Sequence, residues 1–377
     1  MRPAKTRLLL VGAGHAHLEV LRRLVFTRPE DLAVTLVSLE PRHFYSGMTP
    51  GYLAGQYRLE DISFDVPAIA RRAGAECVLG RAARLEPSSR SLVLEDGRTL
   101  AYDLLSLNIG SLLAGADEEP SRGAQLIKPL HRAAALKARL EALALADPAT
   151  PARVVVIGAG AGGVEVACAA AAVMDRASRA REITLLDRGD RLPAGYGARF
   201  QARTVKALHA RGISTRVGVR VRSVRRDAVE LEDGAELPCD LAIWLTGPVG
   251  DPFLATSGLP SCPRGFLWTD DMLRSLADRR IFAVGDCGTP ASYPTLAKSG
   301  VYAVREAPVL WRNLLASART ARLATFRPPR EFLSILNTGD GRALLHYKGL
   351  ISWSRWAWRL KDRIDRRFMR KYQQLAR

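Results

Sequence analysis

Residues 153–173 read RVVVIGAGAGGVEVACAAAAV, which is a β-branched run, a glycine-rich turn and a helix of small residues. Residues 7–24 read RLLLVGAGHAHLEVLRRL and repeat the same pattern. An apolar strand, a glycine turn and a helix are the parts of a βαβ unit in a parallel sheet. Each copy is followed by an apolar run that ends in an acid, first Val34–Glu40 and then Ile183–Asp187. The repeat therefore predicts an α/β protein with two nucleotide-binding sheets.

The second glycine turn matches the pattern GxGxxG at Gly158, Gly160 and Gly163. In this pattern the first glycine makes the turn, the second admits a pyrophosphate to the backbone, and the third lets the helix pack on the strand. The free N–H groups and the dipole of the helix N-terminus favour the phosphates. Asp187 follows Gly163 by 24 residues, which suits a carboxylate that binds a ribose 2′-hydroxyl and repels a 2′-phosphate. This copy predicts an NAD(P)H site that favours NADH, an inference that the adjacent Arg188 weakens.

The first turn carries Gly12 and Gly14, but His17 stands where the third glycine would be. Glu40 follows His17 by 23 residues, so the spacing of the acid is kept. The context predicts a second dinucleotide site, with His15 as a candidate phosphate neighbour. For both histidines a buried position in the core is the favoured alternative.

A third motif is the short apolar strand that ends in Gly285-Asp286. A carboxylate at the end of a strand accepts hydrogen bonds from a polyol such as the ribityl chain of a flavin. Taken alone, however, the motif is more typical of an aspartate that caps the following helix.

The composition excludes several classes of protein. The 377 residues are 47% hydrophobic and 25% charged, which excludes a disordered tail, a collagen and a disulfide-stapled miniprotein. We find no apolar run long enough to span a membrane and expect no signal peptide before the first glycine turn. The net charge is +18, but zinc spacings and RNA-binding aromatic motifs are lacking, so we expect no nucleic-acid partner.

The cysteines predict a reducing compartment and therefore a cytoplasmic protein. Their number is odd and low, and none are spaced as CxxC or CxxxxC. We expect no metal site. The cysteines are Cys77, Cys168, Cys239, Cys262 and Cys287.

The chain organisation follows from its breaks. Residues 132–146 predict a helix that the sequence DPATP at 147–151 ends, and residues 319–330, which end in RPPR, predict a linker. The last 27 residues carry a net charge of +7, and residues 351–371 predict an amphipathic helix rich in tryptophan and arginine. Such a helix suits the inner face of a membrane. A cover for the first domain and a homodimer contact remain open as alternatives.

The order of these motifs resembles the pyridine nucleotide-disulfide oxidoreductase superfamily, over about residues 6–320. The resemblance implies two Rossmann-like, three-layer β/β/α domains, the second inserted in the first, and a small C-terminal helical segment. The FAD-binding domain would comprise residues 1–115 and 250–320, the NAD(P)H-binding domain 116–249, and the C-terminal segment 321–377.

The resemblance also implies roles for individual residues. FAD would be bound at Gly12, Gly14, His15 and Glu40, at Gly110 in the segment 102–111, and at Gly285 and Asp286. The nicotinamide nucleotide would be bound at Gly158, Gly160, Gly163 and Asp187. Glu165 and Lys298 would lie near the flavin as catalytic residues, whereas the alternatives are a first-turn acid of a helix and a solvated lysine.

One departure narrows the chemistry. The region where disulfide reductases carry a redox CxxxxC reads HFYSGMTPG at residues 43–51 and has no cysteine. The sequence is nearer to type-2 NADH dehydrogenases, and to the flavoprotein found fused to selenide, water dikinase, which it resembles at GHAH, YSGMTPG and KDRIDRRFM.

The sequence thus predicts an FAD-dependent enzyme that oxidises NAD(P)H and passes electrons to a quinone or another diffusible acceptor. The alternatives are an enzyme like sulfide:quinone reductase, which would need thiols at the flavin, and a flavin-binding sensor or partner protein linked to selenium metabolism.

Overall fold

The computed structural model describes residues 5–116, 118–146 and 149–376. Asp147 and Pro148, where the predicted helix break begins, lie outside these ranges. The α-helices of the described residues, numbered in chain order, are α1 (His15–Thr27), α2 (Thr49–Leu53), α3 (Val66–Arg72), α4 (Ala133–Ala144), α5 (Ala161–Arg176), α6 (Ala198–Ala210), α7 (Pro252–Ala255), α8 (Gly300–Ala318) and α9 (Arg355–Gln373).

The strands are β1 (Thr6–Val11), β2 (Leu32–Ser38), β3 (Arg42–Phe44), β4 (Ser63–Asp65), β5 (Glu76–Leu79), β6 (Ala82–Glu86), β7 (Ser91–Leu94), β8 (Thr99–Ala101), β9 (Leu104–Leu107), β10 (Leu112–Leu113), β11 (Gln125–Leu126), β12 (Ala152–Ile157), β13 (Arg181–Leu186), β14 (Ile213–Arg216), β15 (Val221–Val224), β16 (Ala228–Leu231), β17 (Glu236–Pro238), β18 (Leu241–Trp244), β19 (Pro248–Val249), β20 (Leu267–Thr269), β21 (Ile281–Ala283), β22 (Gly288–Pro290), β23 (Ser334–Asn337), β24 (Ala343–Tyr347) and β25 (Leu350–Ser354).

Two parallel sheets organise the fold. The first has the strand order β21-β9-β1-β2-β5, and the second has the order β11-β18-β12-β13-β14. The two repeated strands, β1 and β12, are each central in their sheet and pair in parallel with the strand that ends in the acid, β2 and β13. Strand β21 returns to the first sheet after the whole second sheet has been formed. This order confirms the predicted class of two Rossmann-like domains, the second inserted in the first.

Alternation along the central strands accounts for the three layers. In β1, Leu8 and Leu10 pack into the core on the helix side, whereas Leu9 and Val11 pack against the antiparallel sheet β6-β7-β8. The second sheet repeats this arrangement, with β15-β16-β17 as its antiparallel layer. Successive side chains of a strand point to opposite faces, so a fully apolar strand requires a layer on each side.

The predicted domain limits stay predictions. The strands of the first sheet come from residues 6–107 and 281–283, and those of the second from residues 125–244.

The C-terminal segment differs from its prediction. Ile351–Ser354 belongs to strand β25 of an antiparallel sheet, β23-β24-β25, and the helix begins only at Arg355. Ser354 ends the strand and caps the helix, because its hydroxyl accepts a hydrogen bond from Ala357 N. Helix α9 packs on the first domain through contacts described below. Within the described ranges, no helix has the length and apolar content needed to cross a membrane.

Candidate functional site

The first glycine turn joins β1 to α1 and is shaped by Asn108. Gly12 has a φ of +91°, which favours glycine, and a Cβ atom there would lie 2.5 Å from the Asn108 carbonyl oxygen. A Cβ at Gly14 would overlap the Asn108 side chain. Both predicted glycines are therefore required by the close approach of the chain that follows β9.

Asn108 also caps helix α1. Its Oδ1 accepts hydrogen bonds from Ala16 N at 3.0 Å and His17 N at 3.3 Å, and its Nδ2 donates to Val284 O at 3.0 Å. One buried amide thus fixes the start of α1 and the end of β21. The sequence analysis did not select Asn108 as a site residue, because its partners lie about ninety residues upstream and 176 residues downstream.

His17 occupies the position of the third glycine, and its side chain forms hydrogen bonds there. Its Nδ1 lies 2.6 Å from Gly12 O and its Nε2 lies 2.8 Å from Ser106 Oγ, so both ring nitrogens have partners. Burial lowers the pKa of His17 to about 4, and the neutral ring suits one donor and one acceptor. In the second turn a Cβ at Gly163 would instead overlap Gly158 O. His17 is a satisfied core residue.

His15 differs, because it is buried without a partner for Nε2 among the described residues. Its ring lies 5.3 Å from that of Tyr45 and 5.6 Å from that of Phe368. Burial lowers its pKa to about 4. An orphaned buried nitrogen beside the first glycine turn is a group that a bound nucleotide would satisfy.

The two acids after the second strands behave differently. Asp187 accepts hydrogen bonds from Ala159 N at 2.6 Å and Gly189 N at 2.7 Å, so its carboxylate is held against the second glycine turn. Glu40 lies at the surface, with His131 Nδ1 3.9 Å away. Among the described residues, Asp187 forms hydrogen bonds to the backbone of its glycine turn, whereas Glu40 forms none to the first turn.

Open space borders the backbone at the second glycine turn and at Gly110, in the segment that follows β9. A Cβ added at Gly160, in the second turn, would meet no atom within 4 Å, and the same holds at Gly110, after β9. Gly158 makes the second turn with a φ of +103°. These features fit a pyrophosphate that approaches the backbone, which is the fit that FAD and NAD(P)H require.

Asp286 follows Gly285 in the turn after β21. Its Oδ2 accepts from Ser111 Oγ at 2.8 Å and lies 3.7 Å from Lys128 Nζ. The aspartate therefore lies close to the chain after Gly110, next to the first glycine turn. A partly exposed carboxylate in this position can accept hydrogen bonds from the hydroxyls of a ribityl chain.

Lys298 is directed towards strand β22 and is not solvated. Its Nζ donates to Thr289 Oγ1 at 2.6 Å and to Gly288 O, and it lies 4.2 Å from the centre of the Phe266 ring. Burial lowers its pKa. The structure thus opposes the alternative of a solvated lysine, while its role near the flavin stays a prediction.

Glu165 lies on α5 where the two sheets and the C-terminal segment meet. Its Oε1 accepts from Asn337 N at 2.8 Å, and Asn337 Nδ2 donates to Gln56 Oε1 at 2.6 Å. Burial raises the pKa of Glu165 to about 7, although Lys361 opposes the shift. Because α5 begins at Ala161 and has no acid in its first turn, the alternative of Glu165 as a first-turn acid is wrong.

Three more titratable groups complete this junction. Lys361 and Asp365 are buried on α9, where Lys361 Nζ donates to Asp365 Oδ2 and to Gly47 O, both at 2.8 Å. Tyr45 Oη donates to Asp365 Oδ1 at 3.1 Å. Burial raises the pKa of Asp365 in spite of Lys361. We call Glu165, Tyr45, Lys361 and Asp365 the junction cluster.

The sequence motifs did not predict Tyr45, Lys361 and Asp365 as site residues, although α9 carries a signal. Its buried side chains recur at helical spacing, at Ala357, Lys361, Asp365, Met369 and Tyr372. An oppositely charged i,i+4 pair within an otherwise apolar stripe indicates a buried ion pair rather than a solvated face.

Comparisons with known proteins agree with this architecture. The chain is 26% identical over 323 residues to the mitochondrial internal alternative NAD(P)H-ubiquinone oxidoreductase A1 of Arabidopsis thaliana, covering 75% of this chain and 61% of that protein. It is 23% identical over 359 residues to the demethylphylloquinone reductase NdbB of Synechocystis, covering 90% and 87%. The chain thus spans less than two thirds of the Arabidopsis relative.

Among solved structures, NDH2 of Plasmodium falciparum in complex with NADH has a TM-score of 0.84 at 13% identity, covering 99% of this chain and 97% of that one. This likeness concerns the fold. The family model described as pyridine nucleotide-disulphide oxidoreductase matches residues 6–309.

These findings confirm the predicted family and, with it, the predicted class of oxidoreductase and the cofactor pair FAD and NAD(P)H. The roles of the predicted site residues in the glycine turns, and those of Glu165 and Lys298, stay predictions. From its two glycine turns to the strand that returns to the first sheet, the chain belongs to the pyridine nucleotide-disulphide oxidoreductase family.

Proposed function

We propose that this protein oxidises NADH with FAD as its flavin and passes the electrons to a quinone without a redox dithiol. The observation that carries the proposal is the junction cluster, which gathers a carboxyl group with a pKa near 7 and a buried ion pair between the two nucleotide-binding folds. The names of the two relatives, both reductases of quinones, support the same acceptor.

The residues of the turns would bind and orient the two nucleotides. FAD would lie along Gly12, Gly14 and Gly110, with Asp286 accepting from its ribityl hydroxyls, and the nicotinamide nucleotide would lie along the second turn. When bound, FAD accepts a hydride equivalent from the reduced nicotinamide and yields electrons to a second substrate. The protein contributes the alignment of the two rings. In such reactions, alignment of the reactants supplies a large part of the lowering of the activation barrier.

The position of Asp187 supports NADH over NADPH. Its carboxylate is fixed against the second turn by two backbone N–H groups, and its unused lone pairs can accept from a ribose 2′-hydroxyl. A 2′-phosphate at this place would meet a fixed negative charge. Arg188 is exposed beside it, so its side chain is free to turn to solvent.

The junction cluster suits the proton demand of quinone reduction, which takes up two electrons and two protons. With a pKa of about 7, the Glu165 carboxyl is divided between its neutral and ionised forms at neutral pH, so it can both hold and release a proton. Lys361 and Asp365 would then hold charge next to it without exposure to water.

The cysteines weigh against the alternative of a sulfide:quinone reductase. Cys287 is buried, and its thiol lies within hydrogen-bonding distance of Leu107 O and Val284 O. Burial raises the pKa of Cys287 to about 11 and that of Cys168 to about 12. A thiol attacks as its thiolate, so both groups are poorly suited to sulfide chemistry.

The outer face of α9 supports contact with the inner face of a membrane. Trp356 is 48% exposed and lies among exposed bases, whereas the opposite face of the helix is buried on the first domain. Leu350 at the start of β25 is also exposed. The exposed bases on this face are Arg355, Arg359, Arg363, Arg367 and Arg370. An amphipathic surface of this kind binds anionic headgroups and gives access to a quinone dissolved in the lipid.

The function is tested by anaerobic turnover of the purified chain with NADH or NADPH and a short-chain quinone. We expect quinol to form at the rate of NADH loss, and more slowly with NADPH. A chain whose flavin is reduced by NADH but that turns over no quinone would instead support the sensor or partner protein linked to selenium metabolism. Oxidation of sulfide without NADH would support the sulfide alternative.

A further inference from the structure

Glu306 is a buried carboxylate that the proposed reaction does not use. It lies on α8 with 2% of its surface exposed, and its Oε2 accepts a hydrogen bond from Gly285 N at 2.5 Å. Gly285 is the residue before Asp286. Glu306 therefore contacts the backbone of the predicted ribityl-binding turn from helix α8.

Two buried side chains hold this turn from neighbouring elements. Asn108 Nδ2 donates to Val284 O, and Glu306 accepts from Gly285 N, so the carbonyl and the N–H of one peptide unit are both bound by side chains. A Cβ at Gly285 would lie 2.7 Å from Asn108 Nδ2 and 3.3 Å from Ala303 Cβ. The peptide is thus enclosed by the segment that follows β9 and by α8, and it has little freedom to rotate.

The direction of this peptide determines where Asp286 points. Asp286 is the next residue, and its carboxylate accepts from Ser111 Oγ at 2.8 Å at the edge of the first sheet. If the Gly285 N–H lost its acceptor, a buried donor would remain unsatisfied and the turn would rotate to find water or another acceptor. Such a rotation would move the Asp286 carboxylate away from Ser111.

We propose that Glu306 is the positioning residue of the FAD site, because its carboxylate fixes the Gly285 N–H and thereby the Asp286 side chain that binds the ribityl chain. The inference rests on the proposed function, since it requires FAD at the first sheet. Glu306 would act through Gly285 and would not touch the flavin itself.

The test compares the affinity of full-length variants for FAD. Glu306→Met removes the acceptor, whereas Glu306→Gln keeps an oxygen that can accept from Gly285 N. Asn313→Ala is the matched control, because Asn313 is a buried polar residue of the same helix whose side chain bonds to Met272 and Ala324 instead. FAD retained after gel filtration, and the dissociation constant from flavin fluorescence, are measured together with the thermal midpoint.

We expect Glu306→Met to raise the dissociation constant of FAD by about ten- to a hundredfold. Glu306→Gln should stay within about threefold of the wild type, because the neutral amide oxygen still accepts. Asn313→Ala should lower the thermal midpoint and leave the affinity for FAD unchanged. If Glu306→Met does not fold, Glu306→Asp takes its place, since its shorter side chain keeps the charge but does not reach Gly285 N.

Wild-type affinity in Glu306→Met, or in Glu306→Asp where that variant is used, would overturn the inference. An equal loss of FAD in Asn313→Ala would also overturn it, since general destabilisation would then suffice. A wild-type chain that takes up no FAD would overturn the proposed function, and this inference with it, so the two failures are distinguishable.

Discussion

Replacing Glu165 by glutamine should remove a specific part of the pH dependence of stability. Burial raises the pKa of Glu165 from an ordinary value of 4.5 to about 7 in the folded chain. A carboxyl group with a raised pKa binds its proton more tightly in the folded than in the unfolded state. It therefore contributes stability that is fully present below pH 4.5 and is lost as the pH rises through 7.

The magnitude follows from the two pKa values. Proton linkage with values of 4.5 and about 7 gives a contribution of about 3 kcal/mol at pH 5 that is almost absent at pH 8. The wild type should thus lose about 3 kcal/mol from this group between pH 5 and pH 8. Glutamine does not titrate, and its side-chain oxygen can still accept from Asn337 N.

The assay is urea unfolding of the wild type and Glu165→Gln at pH 5 and pH 8, followed by tryptophan fluorescence. Other titrating groups, including Glu306 with its pKa of about 7, are common to both chains and cancel in the comparison. The variant should gain about 3 kcal/mol of unfolding free energy relative to the wild type on going from pH 5 to pH 8. An equal pH dependence in the two chains would refute the argument that Glu165 is desolvated at the junction.

Other predictions follow from the same contacts. Asp187→Ala should raise the KM for NADH about tenfold or more and reduce the preference for NADH over NADPH. Steady-state kinetics with both nucleotides would measure this change. An unchanged preference for NADH over NADPH would contradict the assignment of Asp187. Lys361→Met should lower the free energy of unfolding by about 3–5 kcal/mol, because Asp365 is left buried and unpaired. Adding Asp365→Asn should restore much of this loss in urea unfolding, and a double variant no more stable than the single one would contradict the pairing. Replacing both Arg363 and Arg367 by glutamate should weaken binding to anionic vesicles by roughly thirtyfold or more, at about 1 kcal/mol for each base, and should not affect binding to neutral vesicles. Sedimentation with vesicles measures the binding. If the wild type and the variant sediment equally, this face of α9 does not contact the membrane.

Local pattern was sufficient to predict the two sheets. Each repeat places its strand, turn, helix and acid within about thirty-five residues, so their order alone predicts a βαβ unit and its carboxylate. The three layers and the insertion of the second sheet in the first were implied by the family resemblance, and the structure shows them in the alternation of Leu8 to Val11 between two cores and in the return of β21 to the first sheet.

The parts that were missed depend on contacts distant in sequence. The Asn108 cap on α1, the Tyr45–Asp365 hydrogen bond and the Glu306–Gly285 contact join elements whose proximity follows only from the complete fold. His17 broke the glycine pattern, yet its ring supplies hydrogen bonds that replace the close packing of a glycine. The sequence pattern shows that the glycine is absent. It does not show the two hydrogen bonds of the imidazole ring that compensate for its absence.

The tail shows how local pattern misleads. Its tryptophans and bases indicated a helix from residue 351, whereas Ile351–Ser354 pairs with β24, and the helix starts only after Ser354. The basic residues predicted a face of the helix at the protein surface, and this face of α9 is exposed. The opposite, buried face of α9 carries Lys361 and Asp365. The overall amphipathic pattern of the helix does not reveal this buried charged pair.

The most direct test of the central proposal is an anaerobic titration of the purified chain with NADH, followed through the flavin absorption band. We expect the bound flavin to be bleached by about one equivalent of NADH within the time of a turnover, and to be reoxidised when a quinone is added. A bound flavin that stays oxidised in the presence of NADH would contradict electron transfer between the two nucleotide sites.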